Sequence, residues 1–232
     1  MRLRTLAVAL VTAAIPLSTN AQQTAVPEIA GPTYLTTYVE VVPSAGAQAV
    51  NMLKEYRDAA RKEPGAMRID LYQEKGQSHR FVLGELWQNR TIVQQHMKSA
   101  ATGALEQKLK PIELGPPDVR IHQAHMVTPP KAPTAGDVII ISHVDVFGGN
   151  VSKLIALLNT LGEDSRKDSG MVRYEILDEV PAHVNHFRVV EEWASPAAWE
   201  AHDRAPHTQA YREALMPMLG TPYDQRLYDV VN

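Results

Sequence analysis

Residues 187–211 read FRVVEEWASPAAWEAHDRAPHTQAY. The first half alternates: Phe187, Val189, Glu191 and Trp193 fall on one side of an extended chain, because strand side chains repeat every second residue. Three of these four are apolar or aromatic, so that side is predicted to be buried. Glu191 then sits among hydrophobes, where a carboxylate without a partner is costly. Ser195-Pro196 marks a helix start, Ser as the N-cap and Pro in the first turn. On that helix Trp199 and His202 share a face. Pro206 restarts the chain, and His207 and Tyr211 lie four apart on the next helical piece. A carboxylate, two imidazoles, two indoles and a phenol are thereby drawn to one strand-to-helix corner.

The corner occurs twice. Phe81, Leu83, Glu85 and Trp87 repeat the strand, Asn89 takes the place of Ser195, and Glu85, Trp87 and His96 precede Glu191, Trp193 and His202 by 106 residues. Upstream the offset is 105: Val39 with Val144, Leu53 with Leu158, Gly65 with Gly170, Arg68 with Arg173. One extra residue near Val180–Val184 accounts for the step, and Pro111 and Pro217 match again at 106. The chain is a tandem duplication.

Each copy reads as strand, helix, strand, strand, helix, strand. In the first, these are 34–42, 45–62, 67–73, 80–87, one helix from Asn89 to about Lys110, and 118–127. In the second they are 138–146, 150–167, 171–177, 184–193, 195–216 and 224–231. The buried stripes are predicted to be Ala49, Val50, Leu53, Tyr56 and Ala60 on one long helix. On the other they are Val151, Leu154, Ile155, Leu158 and Leu161. Arg57, Arg61 and Lys62 fall near a helix end and read as a solvated face. The order βαββαβ is the ferredoxin-like arrangement, helices on one face of an antiparallel sheet, of class α+β. Val138-Ile139-Ile140-Ile141 does not alternate, which argues for burial on both faces. Helices cover one face, so the other copy's sheet must cover the second. The two copies are predicted to pack sheet to sheet as an intramolecular dimeric α+β barrel.

The outer parts of the chain set further bounds. Residues 1–21 have the form of a secretory signal: Arg2 and Arg4, an apolar core from Leu6 to Leu17, then a polar exit ending at Ala21. The core falls short of the ~20 residues that span a bilayer, so removal and a periplasmic or secreted protein are expected, with no membrane contact after cleavage. Residues 22–33 form a loose leader, 34–127 the first domain, 128–136 a Pro-rich linker and 137–232 the second domain. A net charge of −3 gives no electrostatic case for nucleic acid. With no Cys, thiolate catalysis, thiolate metal sites and disulfides are excluded.

Glu-x-Trp closing the third strand, then a helix bearing His and, five residues on, Pro-His, resembles the antibiotic biosynthesis monooxygenase domain family, of the quinol monooxygenase type. Gly170-Met171-Val172-Arg173-Tyr174-Glu175 adds to the resemblance, which covers both copies. It implies an α+β barrel and, among family activities, cofactor-free oxygenation of polyphenols and quinols, isomerisation of small hydroxy-diones or, more distantly, haem degradation. The second copy keeps Tyr174, Glu191, Trp193, His202 and His207. The first keeps Glu85, Trp87 and His96 but has Ile69 for Tyr174, Ala101 for His207 and Leu105 for Tyr211, so it reads as weaker or structural.

The expected partners are a small aromatic molecule and O2, with no cofactor and no metal; a homo-oligomer is open. His202 or His207 could take a phenolic proton, since imidazole titrates near neutrality. Glu191 could orient that imidazole. Tyr174, Trp193, Trp199 and Tyr211 would supply apolar walls. Each assignment has a duller rival. Glu191 could simply pair with Arg173, Arg188 or a His, the Trp residues could be core, and His202 and His96 could be satisfied packing residues. His202 and His207, five apart, do not stack on one helical face as metal ligands four apart do, and His183 and His186 read as solvated hairpin residues. The functional readings are an exported oxygenase of a small hydroquinone or polyphenol, an isomerase of a small hydroxy-carbonyl compound, or a non-catalytic protein holding an aromatic or haem-like ligand.

Overall fold

In the first repeat, β1 (Thr33–Glu40) leads through a turn of 3-10 helix into α1 (Gly46–Ala60). β2 (Ala66–Glu74) and β3 (Arg80–Trp87) form a hairpin, followed by α2 (Arg90–His96), α3 (Ala100–Leu109) and β4 (Asp118–Met126). The second repeats the order with β5 (Val138–Asp145), α4 (Val151–Ser165), β6 (Met171–Glu179), β7 (His186–Trp193), α5 (Pro196–Asp203), α6 (Pro206–Leu215) and β8 (Asp224–Val230). The structure, a computed structural model, describes residues 31–129, 133–134, 136–179 and 185–232. The signal, most of the leader, part of the linker, His183 and the extra residue of the second hairpin lie outside the described residues.

The eight strands close into one barrel in the order β1-β3-β2-β8-β5-β7-β6-β4. Each repeat contributes its own four-stranded antiparallel sheet, and the two sheets face each other as expected. They are also stitched edge to edge, which the sequence did not announce. β8 pairs with β2 through Tyr72↔Val230, Gln73↔Asp229 and Glu74↔Tyr228. β4 pairs with β6 from His122↔Glu179 to Met126↔Ile176. Among the described residues the strands thus close on themselves, which shortens the margin that usually templates edge aggregation.

Side chains of alternate register enter two different layers. Phe81 and Leu83 face outward onto α1 and α3, and Phe187 and Val189 onto α4 and α6, forming one helix-covered core per repeat. Val82, Leu86, Val190, Tyr34, Tyr72 and Tyr228 point into the barrel. Val138 and Ile140 pack with Trp193 while Ile139 and Ile141 join the barrel interior, so the continuous apolar run is buried on both faces. Of the helical stripes, Ala49, Leu53, Tyr56 and Ala60 on α1 and Leu154, Leu158 and Leu161 on α4 are buried, while Val50, Val151 and Ile155 pack at their margins, partly buried.

Three readings are corrected here. The helix drawn from Asn89 to Lys110 is two, because Ser99 turns extended (φ −71°, ψ 160°) and caps Thr102 N. Arg57 is not solvated: it is 6% exposed and donates to the Val231 carbonyl, tying the chain's last residues to α1. Arg173 does not meet Glu191, because its side chain enters the barrel while Glu191 faces the helices. In the barrel Arg173 reaches Asp70 (3.2 Å) and Glu192 (2.9 Å), and the equivalent Arg68 reaches Glu175 (2.7 Å). Each Arg-x-acid segment thus crosses to the acid of the other repeat. Arg188 also points inward, over the Tyr38 ring, and its guanidinium has no hydrogen-bond partner among the described residues.

Candidate active site

Both corners fold as read. Asn89 accepts from Ile92 N and Ser195 from Ala198 N, so each N-cap fixes the angle at which the strand passes into its helix. In each, the Trp indole returns to the Glu two residues before it: Trp87 Nε1 to Glu85 (2.9 Å) and Trp193 Nε1 to Glu191 (3.0 Å). The helical His then stacks on the indole at 4.2 Å (His96 on Trp87) and 4.6 Å (His202 on Trp193). Both Trp are fully buried, which places them as supports of the carboxylate and imidazole.

In the N-terminal repeat the set is fuller than Glu85, Trp87 and His96 alone. His96 Nε2 lies 3.1 Å from Glu85 and 2.6 Å from the Tyr56 hydroxyl, which also donates to Glu85 at 3.0 Å. On the other side His96 Nδ1 meets Glu63 at 2.7 Å. Burial disfavours the imidazolium, but Glu85 and Glu63 outweigh it and raise the His96 pKa above the ordinary value. Burial beside Glu85 pushes the Tyr56 phenol far up, so it stays a neutral donor. Tyr56 also lines a cavity of about 440 Å³ between the sheet and α3, with Leu35, Leu83, Thr102, Leu105 and Val119 around it. The walls are mostly apolar, the size suits a small organic molecule, and the Tyr56 side chain stands between the space and the buried relay.

In the C-terminal repeat the same relay is built differently. Asp168 stands where Glu63 does and lies 2.8 Å from His202 Nδ1, while His202 Nε2 lies 3.7 Å from Glu191. Leu161 replaces Tyr56. Glu191 is pushed up to about 7 by burial, with the Trp193 indole pulling the other way. Burial lowers the His202 pKa, against Asp168. His207 closes on the cluster at 3.1 Å from Asp168 and 3.3 Å from His202. Tyr174 and Tyr211 fill the space between helices and sheet at 0% and 3% exposure, and neither hydroxyl has a partner among the described residues. Trp199 packs, partly buried, beside Trp193 on α5. The structure therefore brings Glu191, Trp193, Trp199, His202, His207, Tyr174 and Tyr211 to one corner, but the two tyrosines occupy the volume they were expected to wall. At Tyr211's equivalent position the shorter Leu105 lines the N-terminal cavity.

Sequence reasoning missed Tyr56, Glu63 and Asp168. Tyr56 falls within the predicted helical stripe, and the signal that marks it is its contrast with Leu161 at the equivalent position of the second copy. The two acids sit just before the duplicated Gly65 and Gly170, in turns that read as simple helix stops.

A family model described as antibiotic biosynthesis monooxygenase matches residues 32–108 and again 137–214, two thirds of the chain and one match per repeat. The chain belongs to the antibiotic biosynthesis monooxygenase family. No curated protein matches it in sequence. Solved structures share the architecture of this family member. A Fusobacterium nucleatum protein named "Putative monooxygenase" superposes with a TM-score of 0.79 at 13% identity, over 88% of this chain and 94% of its own. An anthrone oxidase-like protein gives a TM-score of 0.70 at 15% identity, over 88% and 93%. At such identities the likeness is one of fold.

Proposed function

We propose that this family member is a monooxygenase acting on a small hydroquinone or polyphenol without a cofactor at the reacting centre, and that the reaction runs in the N-terminal cavity. The observation that carries the reading is Tyr56, whose side chain lines the cavity while its hydroxyl lies 2.6 Å from His96. With His96 neutral, the Tyr56 hydroxyl turns its single hydrogen from Glu85 to His96 Nε2; a bound phenol passes its proton to Tyr56 as Tyr56 passes its own to that nitrogen, and Glu85 and Glu63 stabilise the resulting imidazolium. The phenolate is a far better one-electron donor than the phenol. One electron moves to O2, and the radical pair joins at a ring carbon as a peroxide anion. The anion takes the proton back, and the hydroperoxide so formed loses water as its O–O bond and the hydrogen on the same ring carbon are broken away. For a hydroquinone the sum is hydroquinone plus O2 giving hydroxyquinone plus water. One oxygen atom enters the ring, and all four electrons that reduce O2 come from the substrate, so no external reductant is needed.

Oxygen uptake with a panel of hydroquinones, chelator present, tests this. Tyr56→Phe removes the proton path without changing the packing and should lower turnover by about 10²-fold or more. No uptake with any quinol overturns the reading. Loss on His207→Ala with full activity in Tyr56→Phe would move the site to the C-terminal corner. We further read residues 1–21 as an export signal, to be checked by N-terminal sequencing of the protein recovered from culture medium or periplasm.

A further inference from the structure

We propose that Asp168, His202 and His207 form a binding site for one divalent transition-metal ion of zinc type, present in the C-terminal repeat alone. Three donor atoms converge on one point: Asp168 Oδ2, His202 Nδ1 and His207 Nε2, separated by 2.8, 3.1 and 3.3 Å. Ligands about 2.0–2.1 Å from a tetrahedral ion stand about 3.3 Å apart, so the cluster needs to spread by only a few tenths of an ångström. As hydrogen bonding alone the arrangement is poor. One carboxylate oxygen would take both N–H groups, and two like donors would face each other at 3.3 Å. With neutral rings, both lone pairs and the carboxylate aim at the same place.

Two His five positions apart would point to different faces of a continuous helix. Here the helix is broken. Ala205 precedes Pro206 and is extended (φ −63°, ψ 145°), so α6 starts in a new direction with His207 in its first turn. The break, rather than helical periodicity, brings His207 back beside His202. The second layer also fits. His202 turns its other nitrogen toward Glu191 at 3.7 Å, beyond hydrogen-bond reach but close enough for the carboxylate held by the Trp193 indole to favour a proton on that side of the ring. Thr208 lies 3.3 Å from the same nitrogen. Side-chain exposures of 21% for His207 and 25% for Asp168 leave the site reachable from solvent, while His202 is buried. Two His and one carboxylate leave coordination positions open, as in zinc and non-haem iron centres.

The N-terminal repeat supplies the internal comparison. Ala101 stands at the His207 position, and Glu63 and Glu85 approach opposite nitrogens of His96, so no single ion reaches both acids and the ring nitrogen between them. One ion per chain is therefore expected, not two. The inference does not depend on the oxygenase reading, because its readout is binding.

Chelator-treated full-length protein is titrated with Zn2+ by calorimetry and with Co2+ by visible absorption. The expected result is one ion per chain, a d–d spectrum of low coordination number with nitrogen and oxygen ligands, and a higher melting temperature with Zn2+. His207→Ala and Asp168→Asn should each weaken binding by tenfold or more, with folding verified by circular dichroism; the second variant decides if the first does not fold. Absence of binding, binding that survives both substitutions, or two equivalent ions per chain would overturn the proposal.

Discussion

His96 sits between two carboxylates, and this decides how the proposed chemistry depends on pH. To take a proton His96 must first be neutral, so kcat/KM should rise with pH through its pKa. Burial alone would put that midpoint below the ordinary histidine value, but Glu85 and Glu63 move it above. Glu63→Gln removes one of the two and should shift the limb toward acid, measurable as a displaced pH profile of oxygen uptake. The same shift has a stability side. The paired imidazolium stabilises the fold fully below the unfolded histidine pKa, and the contribution is lost as pH rises through the raised value. At this scale the sequence was half legible. Glu85, Trp87 and His96 stood out because they recur, whereas Tyr56 and Glu63 did not, because what matters at those positions is the difference between copies. Gly65 and Gly170 belong here too. Both have φ +84°, and an added Cβ would lie 2.9 Å from Ile92 in one and 2.6 Å from Ala198 in the other. Gly65→Ala and Gly170→Ala should each cost about 1–3 kcal/mol by denaturant titration, from the left-handed backbone and the overlap together.

Among the elements, the paired helices after β3 and β7 carry His96, His202 and His207, and their breaks are made by different means. Pro206 interrupts the C-terminal pair, as the residues foretold. Ser99 interrupts the N-terminal pair without a proline, accepting from Thr102 N at 3.3 Å while Thr102 Oγ1 donates to the His96 carbonyl. A lone serine in an otherwise helical run is a weak signal, since Ser also sits on helix surfaces, and so the break was illegible. Ser99→Ala should cost about 1 kcal/mol, the usual value of an N-cap, read as a lowered melting temperature. Since α3 lines the cavity, the same variant should also raise KM for a quinol if the proposed activity is found. Strand assignments fared better because alternation and the mirrored copy each test the other. The register pairs Ile69 with Glu85 and Tyr174 with Glu191, the step from 105 to 106 falling between β6 and β7.

For the whole molecule, duplication and the two-faced Val138–Ile141 run were enough to infer two facing sheets. The seams β2–β8 and β4–β6 were not legible, because strand edges carry no side-chain signature of their neighbour. Nor was the crossed ion network, whose members come from segments about a hundred residues apart. Asp70 accepts from Tyr72 at 2.9 Å and stands 3.2 Å from both Arg68 and Arg173. Asp70→Ala leaves two buried guanidinium groups short of a partner and should cost about 3–5 kcal/mol, whereas an apolar replacement of the whole crossed set should cost much less. Chemical denaturation of both variants measures the contrast. The β2–β8 seam also sets an order of events as the chain folds. β2 finds its outer neighbour only when β8, the C-terminal strand of the barrel, has docked. Until then the first half carries a bare strand margin, and chaperone contact is expected to concentrate on that stretch wherever the chain folds.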